Sequence, residues 1–545
     1  MKIILFATLV LISIIGFSQK KPGVYWIQFT DKSNSGFSIS NPNQFLSQRA
    51  LDRRTRQNIS VNSADLPVSQ YYVDSMSHLG LEVFNTSKWL NGVLVRLSDT
   101  TVLNTLSGIS FVQSYKYVRP VFAKNVTSTK METETLSDYF SYGSGNKQIT
   151  MLNGNVLHNL GFKGEGMLIA IIDAGFLATN TAHAFDSLFN NNRIVSTRNF
   201  VIGNFNNSVY ESHTHGTSVL STIASIIPGS FVGTAPRANF TLLLSEEGAT
   251  EYIYEEYNWV CAAEYADSLG ADIISSSLGY NLFNDATMDH TWAELTGDVS
   301  VASKAATIAS GKGMVVVVSA GNSGSQPWHK IGFPADADSI LTVGAVDSLR
   351  LPASFTSVGP TADGRVKPDV AAMGKSTTVV DGSGNVVQGN GTSFSCPIIA
   401  GMCACLWQAH PTATSMQIRD AVIKSASRYS SPDTLMGYGI PNFEVANAIL
   451  SNVPIVDIKT DQIKNVYPVP FTSDIYIEYY SVKNNEIEIE LTDMLGNIVV
   501  KTSSKLILNS LNTINLTNLK MVVSGSYVLK IKTETDTFKR MIVKK

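Results

Sequence analysis

The sequence predicts an α/β domain with a mostly parallel sheet and helices on both faces, preceded by a small α+β unit and followed by a small β-sandwich. Three observations predict it. Short, continuous apolar runs at 167–172 and 314–318 each stop at a polar, glycine-bounded loop, as buried parallel strands do. Helical patterns over 254–269 and 300–311 stand directly before the strands that open at Asp272 and Val315, which is the rhythm of βαβ units. Beyond Val453-Pro454 the composition turns to alternating runs rich in Ile, Val, Thr and Tyr, such as 475–479, 487–491 and 527–531.

At 545 residues the chain is too long for one core and implies about three or four domains. A hydrophobic share of 44% with 16% charged residues describes a globular chain, and a net charge of −3 gives no reason to expect nucleic-acid binding. Residues 1–18 form a basic start, Met1-Lys2, and an apolar run to Phe17, which reads as a signal peptide cleaved near Ser18; a retained N-terminal anchor is the alternative. No later apolar run is long enough to span a bilayer, so no transmembrane anchor is expected and the protein should be exported and soluble. The four cysteines, Cys261, Cys396, Cys403 and Cys405, read as buried free thiols, with a bridge from Cys261 to one of the others left open.

Residues 19–123 carry their own core signals. Alternating strands are expected at 24–29, 81–84, 93–97 and 112–118, and helices at 43–56 and 71–79. Arg49, Arg53, Arg54 and Arg56 read as a solvated helix face, with a dibasic processing site as the minority reading. Residues 124–147, rich in Ser, Thr, Asn and Gly, read as a linker. The central domain is expected over 148–452, closing with helices at 415–427 and 442–450, and the C-terminal domain over 466–545.

Four segments of the central domain carry chemistry. Asp173 ends the first apolar strand, where α/β proteins face their ligand crevice. His215, in HGTSVLS, opens a helical run, and His213 two residues earlier reads as a surface or supporting residue because no metal-binding partner accompanies the two histidines. Asn322 follows the Val315–Val318 strand and presents an amide of the kind that stabilises a developing oxyanion. Ser393 lies between a glycine-bounded loop and an apolar helix, taken to run over 397–408, with its backbone N–H near the positive end of the helix dipole.

The order Asp173, His215, Asn322, Ser393, in IAIIDAGF, HGTSVLS, VVVSAGNSG and GTSFSCPIIAG, resembles the subtilase family of serine peptidases. The resemblance implies a subtilisin-like fold and a secreted serine endopeptidase acting through an Asp-His-Ser triad. Ser393 is then the nucleophile, His215 the general base, Asp173 its orienting partner, and Asn322 an oxyanion donor. Ser277-Leu278-Gly279 resembles the strand that pairs with an extended substrate, and Gly332 the floor of a roomy S1 pocket. The family has His after the proline of the serine motif where this chain has Ile398, which implies a packing change. No cofactor is required; structural calcium is possible in the family but is not placed by this sequence.

By the same resemblance 19–123 is a prodomain that covers the cleft until cut, and the linker at 124–147 is the region where maturation is expected. The segments VYPVPFTSDIYI, LTDMLGNIVV and SGSYVLKIKTETDTFKRMIVKK resemble the C-terminal sorting domain of the type IX secretion system, with Val469 where that family has Asn; a stabilising or carbohydrate-binding appendage is the alternative. The expected partners are protein or peptide substrates and the type IX secretion machinery, and the expected location is outside the cell, secreted or on its surface. Two other functions compete. An adhesion protein on a retired peptidase scaffold would have lost a triad member, and an esterase or lipase would carry its serine in G-x-S-x-G, unlike Ser393.

Overall fold

A computed structural model describes residues 21–120, 142–201, 208–451 and 461–545, the last range without 483, 485, 507–509 and 535. The expected signal peptide at 1–18 and most of the expected linker at 124–147 lie outside the described residues. Two compact units divide the chain, Met1–Val453 and Pro454–Lys545.

Seven parallel strands form the main sheet of the first unit, in the order Val370–Met373, Leu341–Val346, Val315–Ser319, Ile273–Ser276, Leu168–Asp173, Asn239–Leu244, Ile194–Asn199. The central strands are buried end to end because both faces are covered, which is why their sequences run apolar without alternation. Ile169 and Ile171 face the helices His215–Ala224 and Thr392–Ala409, whereas Leu168, Ala170 and Ile172 face Tyr254–Leu269 and Val301–Gly311. Strand order reverses beside Leu168–Asp173, and a crevice opens where the chains leaving two neighbouring strands diverge. Asp173 ends one of these strands and Ser277 follows the other.

Helix starts shift by one residue where the expected first residue is a cap. Ser300 accepts from Ala302 N and Ser303 N, and Asn442 from Glu444 N and Val445 N, so the helices are Val301–Gly311 and Phe443–Leu450. The larger correction concerns the helix after Ser393. It runs Thr392–Ala409 and starts five residues before Pro397, so Ser393 lies inside its first turn. Pro397 removes the N–H that would reach the Ser393 carbonyl one turn back, and the Ser277 hydroxyl donates to that carbonyl instead at 2.8 Å. This helix also corrects the expectation that no later run could span a bilayer. It is long and apolar enough, with mean hydropathy 1.2, but 89% of it is buried inside the protein. All four cysteines are buried free thiols.

The N-terminal part is an antiparallel sheet in the order Glu82–Ser87, Gly92–Leu97, Gly23–Phe29, Val112–Pro120, with helices Gln48–Arg56, Gln70–His78 and Val102–Leu106. Tyr25, Ile27, Val93 and Val95 pack under Tyr72, Met76, Leu103 and Leu106. The opposite face, with Val24, Trp26, Leu94 and Val118, packs against Tyr257, Val260 and Cys261 of the helix Tyr254–Leu269. Trp26 lies 4.8 Å from Tyr257 between ring centroids.

The arginine cluster is not wholly a solvated face: Arg56 is exposed as expected, but the others reach inward. Arg53 and Arg54 are fully buried and meet Asp267 at 2.6 and 2.9 Å, Arg54 meets Asp65 at 2.9 Å, and Arg49 pairs with Asp272. The cations sit where the helix Tyr254–Leu269 ends, and Arg53 also donates to Lys312 O at 3.2 Å and to Ala271 O.

The second unit has two antiparallel sheets. One orders Gln462–Tyr467, Ile475–Ser481, Ser510–Leu516, and the other Ile498–Lys505, Glu486–Asp493, Gly525–Lys532, Thr537–Lys544. Ile475, Ile477, Tyr479, Ile489, Leu491, Leu529 and Ile531 share one core between them, so the alternation in the sequence is the inward and outward alternation of a sandwich.

Candidate active site

Each chemical residue sits at the end of a rigid element. Asp173 is fully buried at its strand end, and its Oδ1 accepts from Ala174 N at 2.8 Å and lies 2.7 Å from His215 Nδ1. That contact fixes the tautomer: with Nδ1 protonated toward Asp173, Nε2 is the free base. Burial alone would lower the His215 pKa, but the Asp173 charge and hydrogen bond outweigh it and raise it above the ordinary histidine value. His213 holds the helix start, its Nδ1 accepting from His215 N at 3.1 Å.

Ser393 is 8% exposed, and its hydroxyl is turned toward Ser277 O at 3.5 Å. Among the described residues no hydrogen bond joins Ser393 Oγ to His215, a looseness common in sites without substrate. Phe394, the next residue, stacks with the imidazole at 6.3 Å between centroids.

Asn322 is oriented by Thr392, whose N and Oγ1 both donate to Asn322 Oδ1, at 2.8 and 3.0 Å. With its oxygen so occupied, the Asn322 amide must direct Nδ2 the other way. A Cβ placed on Gly391, which has φ +153°, would lie 3.5 Å from Asn322 Nδ2 and 3.6 Å from Ser393 N. Both nitrogens therefore border one small space beside Ser393. Asn322→Ala is expected to lower kcat by about 10²–10³-fold with little change in KM, measured on one peptide substrate with both proteins.

Ser277, Leu278 and Gly279 line a cleft of about 420 Å³ together with His213, His215 and residues 246–251. Gly332 lies against them: a Cβ there would press Tyr280 O at 3.2 Å, so glycine sets the spacing between the two segments. Tyr280 and Phe333 bridge that contact, Tyr280 N donating to Phe333 O at 2.8 Å and Phe333 N to Tyr280 O at 2.9 Å. Sequence reasoning missed the positioning role of Thr392, although it lies inside the serine motif. It also missed Glu264, buried on the helix Tyr254–Leu269, which accepts from Lys88 N at 2.8 Å and Trp89 N at 2.9 Å of the N-terminal part.

A parallel α/β sheet that sets an aspartate-histidine pair beside a serine in the first turn of a buried helix is the scaffold of a subtilisin-type serine peptidase. The chain belongs to the subtilase family, whose profile matches residues 164–439. Residues 24–135 match the peptidase S8 propeptide domain of Bacteroidota, and residues 465–545 the secretion system C-terminal sorting domain. Subtilisin DY of Bacillus licheniformis is 30% identical over 302 residues, 55% of this chain and 97% of that one. Subtilisin NAT of Bacillus subtilis subsp. natto is 30% identical over 303 residues, 55% of this chain and 70% of that one. The epidermin leader peptide processing serine protease of Staphylococcus aureus superposes with a TM-score of 0.52 over 79% of this chain and 99% of that one; at 17% identity it shows the fold alone. The chain is thus a serine endopeptidase with a propeptide and a sorting tail that addresses it for type IX export, to the cell surface or the medium.

Proposed function

We propose that the chain cleaves peptide bonds through an acyl-enzyme formed on Ser393. His215 Nε2 takes the hydroxyl proton as Ser393 Oγ attacks the scissile carbonyl, then gives it to the departing amine. Asp173 holds the imidazole and stabilises it when charged, and Asn322 Nδ2 with Ser393 N binds the oxyanion. Water, activated by the same imidazole, releases the acyl group. Ser277 to Gly279 hold an extended substrate chain by backbone pairing, with Gly332 near its S1 side chain. The observation that carries this reading is the 2.7 Å pair between Asp173 and His215, which opens on the cleft lined by Ser277–Gly279.

The chemistry needs no cofactor, and the partners we propose are polypeptide substrates and the type IX export machinery, without nucleic acid and without a membrane anchor. For structural calcium, Glu246, Glu251 and Glu255 are the acidic group spaced to share an ion among the described residues. They do not fit that role. Both Glu255 oxygens accept backbone N–H groups, from Glu247 at 2.7 Å and Tyr252 at 3.0 Å, and Glu246 accepts from the Tyr280 hydroxyl. Burial also pushes the Glu246 carboxyl up to about 7 and Glu251 up to about 9, where they keep protons a calcium site must shed.

The test is a serine-directed fluorophosphonate with peptide amide and ester substrates. One adduct on Ser393 and turnover of the amide are expected, with activity falling at low pH as His215 takes a proton. A folded protein that takes no label, or that cleaves esters alone, would overturn the proposal.

A further inference from the structure

The last strand of the N-terminal sheet, Val112–Pro120, brings Arg119 against Glu247, a residue that lines the cleft. Arg119 is 5% exposed, pairs with Glu247, and lays its guanidinium 4.8 Å from the centre of the Tyr254 ring. Its Nε finds no acceptor among the described residues, so its hold comes from this one carboxylate and this one aromatic face. Glu247 belongs to the same cleft as His215 and Ser277–Gly279.

We propose that Glu247 and Tyr254 form a substrate subsite for a basic side chain, arginine ahead of lysine, and that Arg119 fills it in the precursor. The proposal rests on the peptidase reading above and names part of its substrate class. The carboxylate is held by groups that stay with the catalytic domain. Thr250 Oγ1 donates to Glu247 Oε2 at 3.1 Å and the Tyr254 hydroxyl donates to it at 3.4 Å. Departure of the N-terminal part therefore leaves a positioned anion without its cation. Among the described residues the cleft lining includes Glu246, Glu247 and Glu251 and no lysine or arginine to replace the lost charge. A substrate guanidinium restores both the ion pair and the contact with the ring; an ammonium restores the charge but stacks less well. Arg119 precedes the expected maturation region in the chain, so the matching substrate residue lies amino-terminal to the scissile bond.

The test uses the self-processed peptidase and internally quenched peptides in which Arg, Lys, norleucine or Glu is moved through the positions before the cleaved bond. At one position Arg is expected to exceed norleucine by about tenfold in kcat/KM, with Lys between them and Glu lowest. Glu247→Gln should bring the Arg-to-norleucine ratio near one. Tyr254→Leu, which keeps the charge and removes the ring, should reduce Arg to the level of Lys. Cleavage of all four series at equal rates overturns the subsite while leaving the peptidase reading intact, as does an Arg preference that survives Glu247→Gln. No cleavage of any peptide by the wild type overturns both.

Discussion

Ser393→Ala is expected to leave a folded precursor that keeps its N-terminal part and hydrolyses peptides at close to the background rate. The expected loss is on the order of 10⁶-fold in kcat, the size the nucleophile carries in subtilisin itself, with about 10³–10⁴-fold over water left to the oxyanion donors and binding. The methyl group of alanine fits where the serine sits, since the Ser393 hydroxyl makes only a 3.5 Å contact with Ser277 O. The structural tie at this point, from Ser277 Oγ to the Ser393 carbonyl, uses backbone and survives the substitution. Stability should therefore change little while chemistry disappears. Intact mass of wild type and variant, purified in the same way, reads both consequences. The wild type should lose the propeptide matched at 24–135, and the variant should retain it. A variant trimmed at the same bond and the same rate would mean that another protease matures the chain and that Ser393 does not act on its own precursor.

The four chemical residues were legible because each lies in a short local pattern, a buried strand or helix start joined to a glycine-bounded loop. Asp173 and Asn322 could be placed from the apolar runs before them, and His215 and Ser393 from the apolar runs after them. What could not be read locally is what crosses the chain. Pro397 looks like the first residue of a helix, because proline is well placed there. The helix instead begins at Thr392, because Ser277, 116 residues away in sequence, supplies the hydrogen bond that Pro397 cannot. The arginines of Gln48–Arg56 carry the same lesson at larger scale. Four arginines on a short helix read as solvated until a buried partner is known, and Asp267 lies more than 200 residues further on. The seating of Arg119 against Glu247 is likewise invisible to any local pattern.

Asp267→Asn is expected to destabilise the precursor by about 3–5 kcal/mol and to leave the mature peptidase nearly unchanged. In the precursor Asp267 is fully buried among three cations: Arg53 at 2.6 Å, Arg54 at 2.9 Å and Lys88 at 3.0 Å. Burial would raise its pKa, but Lys88, Arg53 and Arg54 overcome this and hold the carboxyl well below the ordinary aspartate range. Asparagine keeps the shape and removes the charge. Asp65 cannot compensate, since it already pairs with Arg54 at 2.9 Å and Lys312 at 2.8 Å. Buried cations lacking their shared carboxylate carry the desolvation cost without the attraction that offsets it. The three cations leave with the N-terminal part, because Arg53, Arg54 and Lys88 all belong to it. Asp267 then stands in the last turn of Tyr254–Leu269, where the helix dipole disfavours a negative charge. There asparagine should be neutral or slightly stabilising, within about 1 kcal/mol. Denaturant unfolding of Ser393→Ala precursors with and without Asp267→Asn, beside the corresponding mature proteins, separates the two states. Equal losses in both would place the value of Asp267 inside the peptidase fold; a loss confined to the precursor makes this buried ion cluster the fastening of the propeptide, at the opposite end of the helix from Tyr254, over which Arg119 lies.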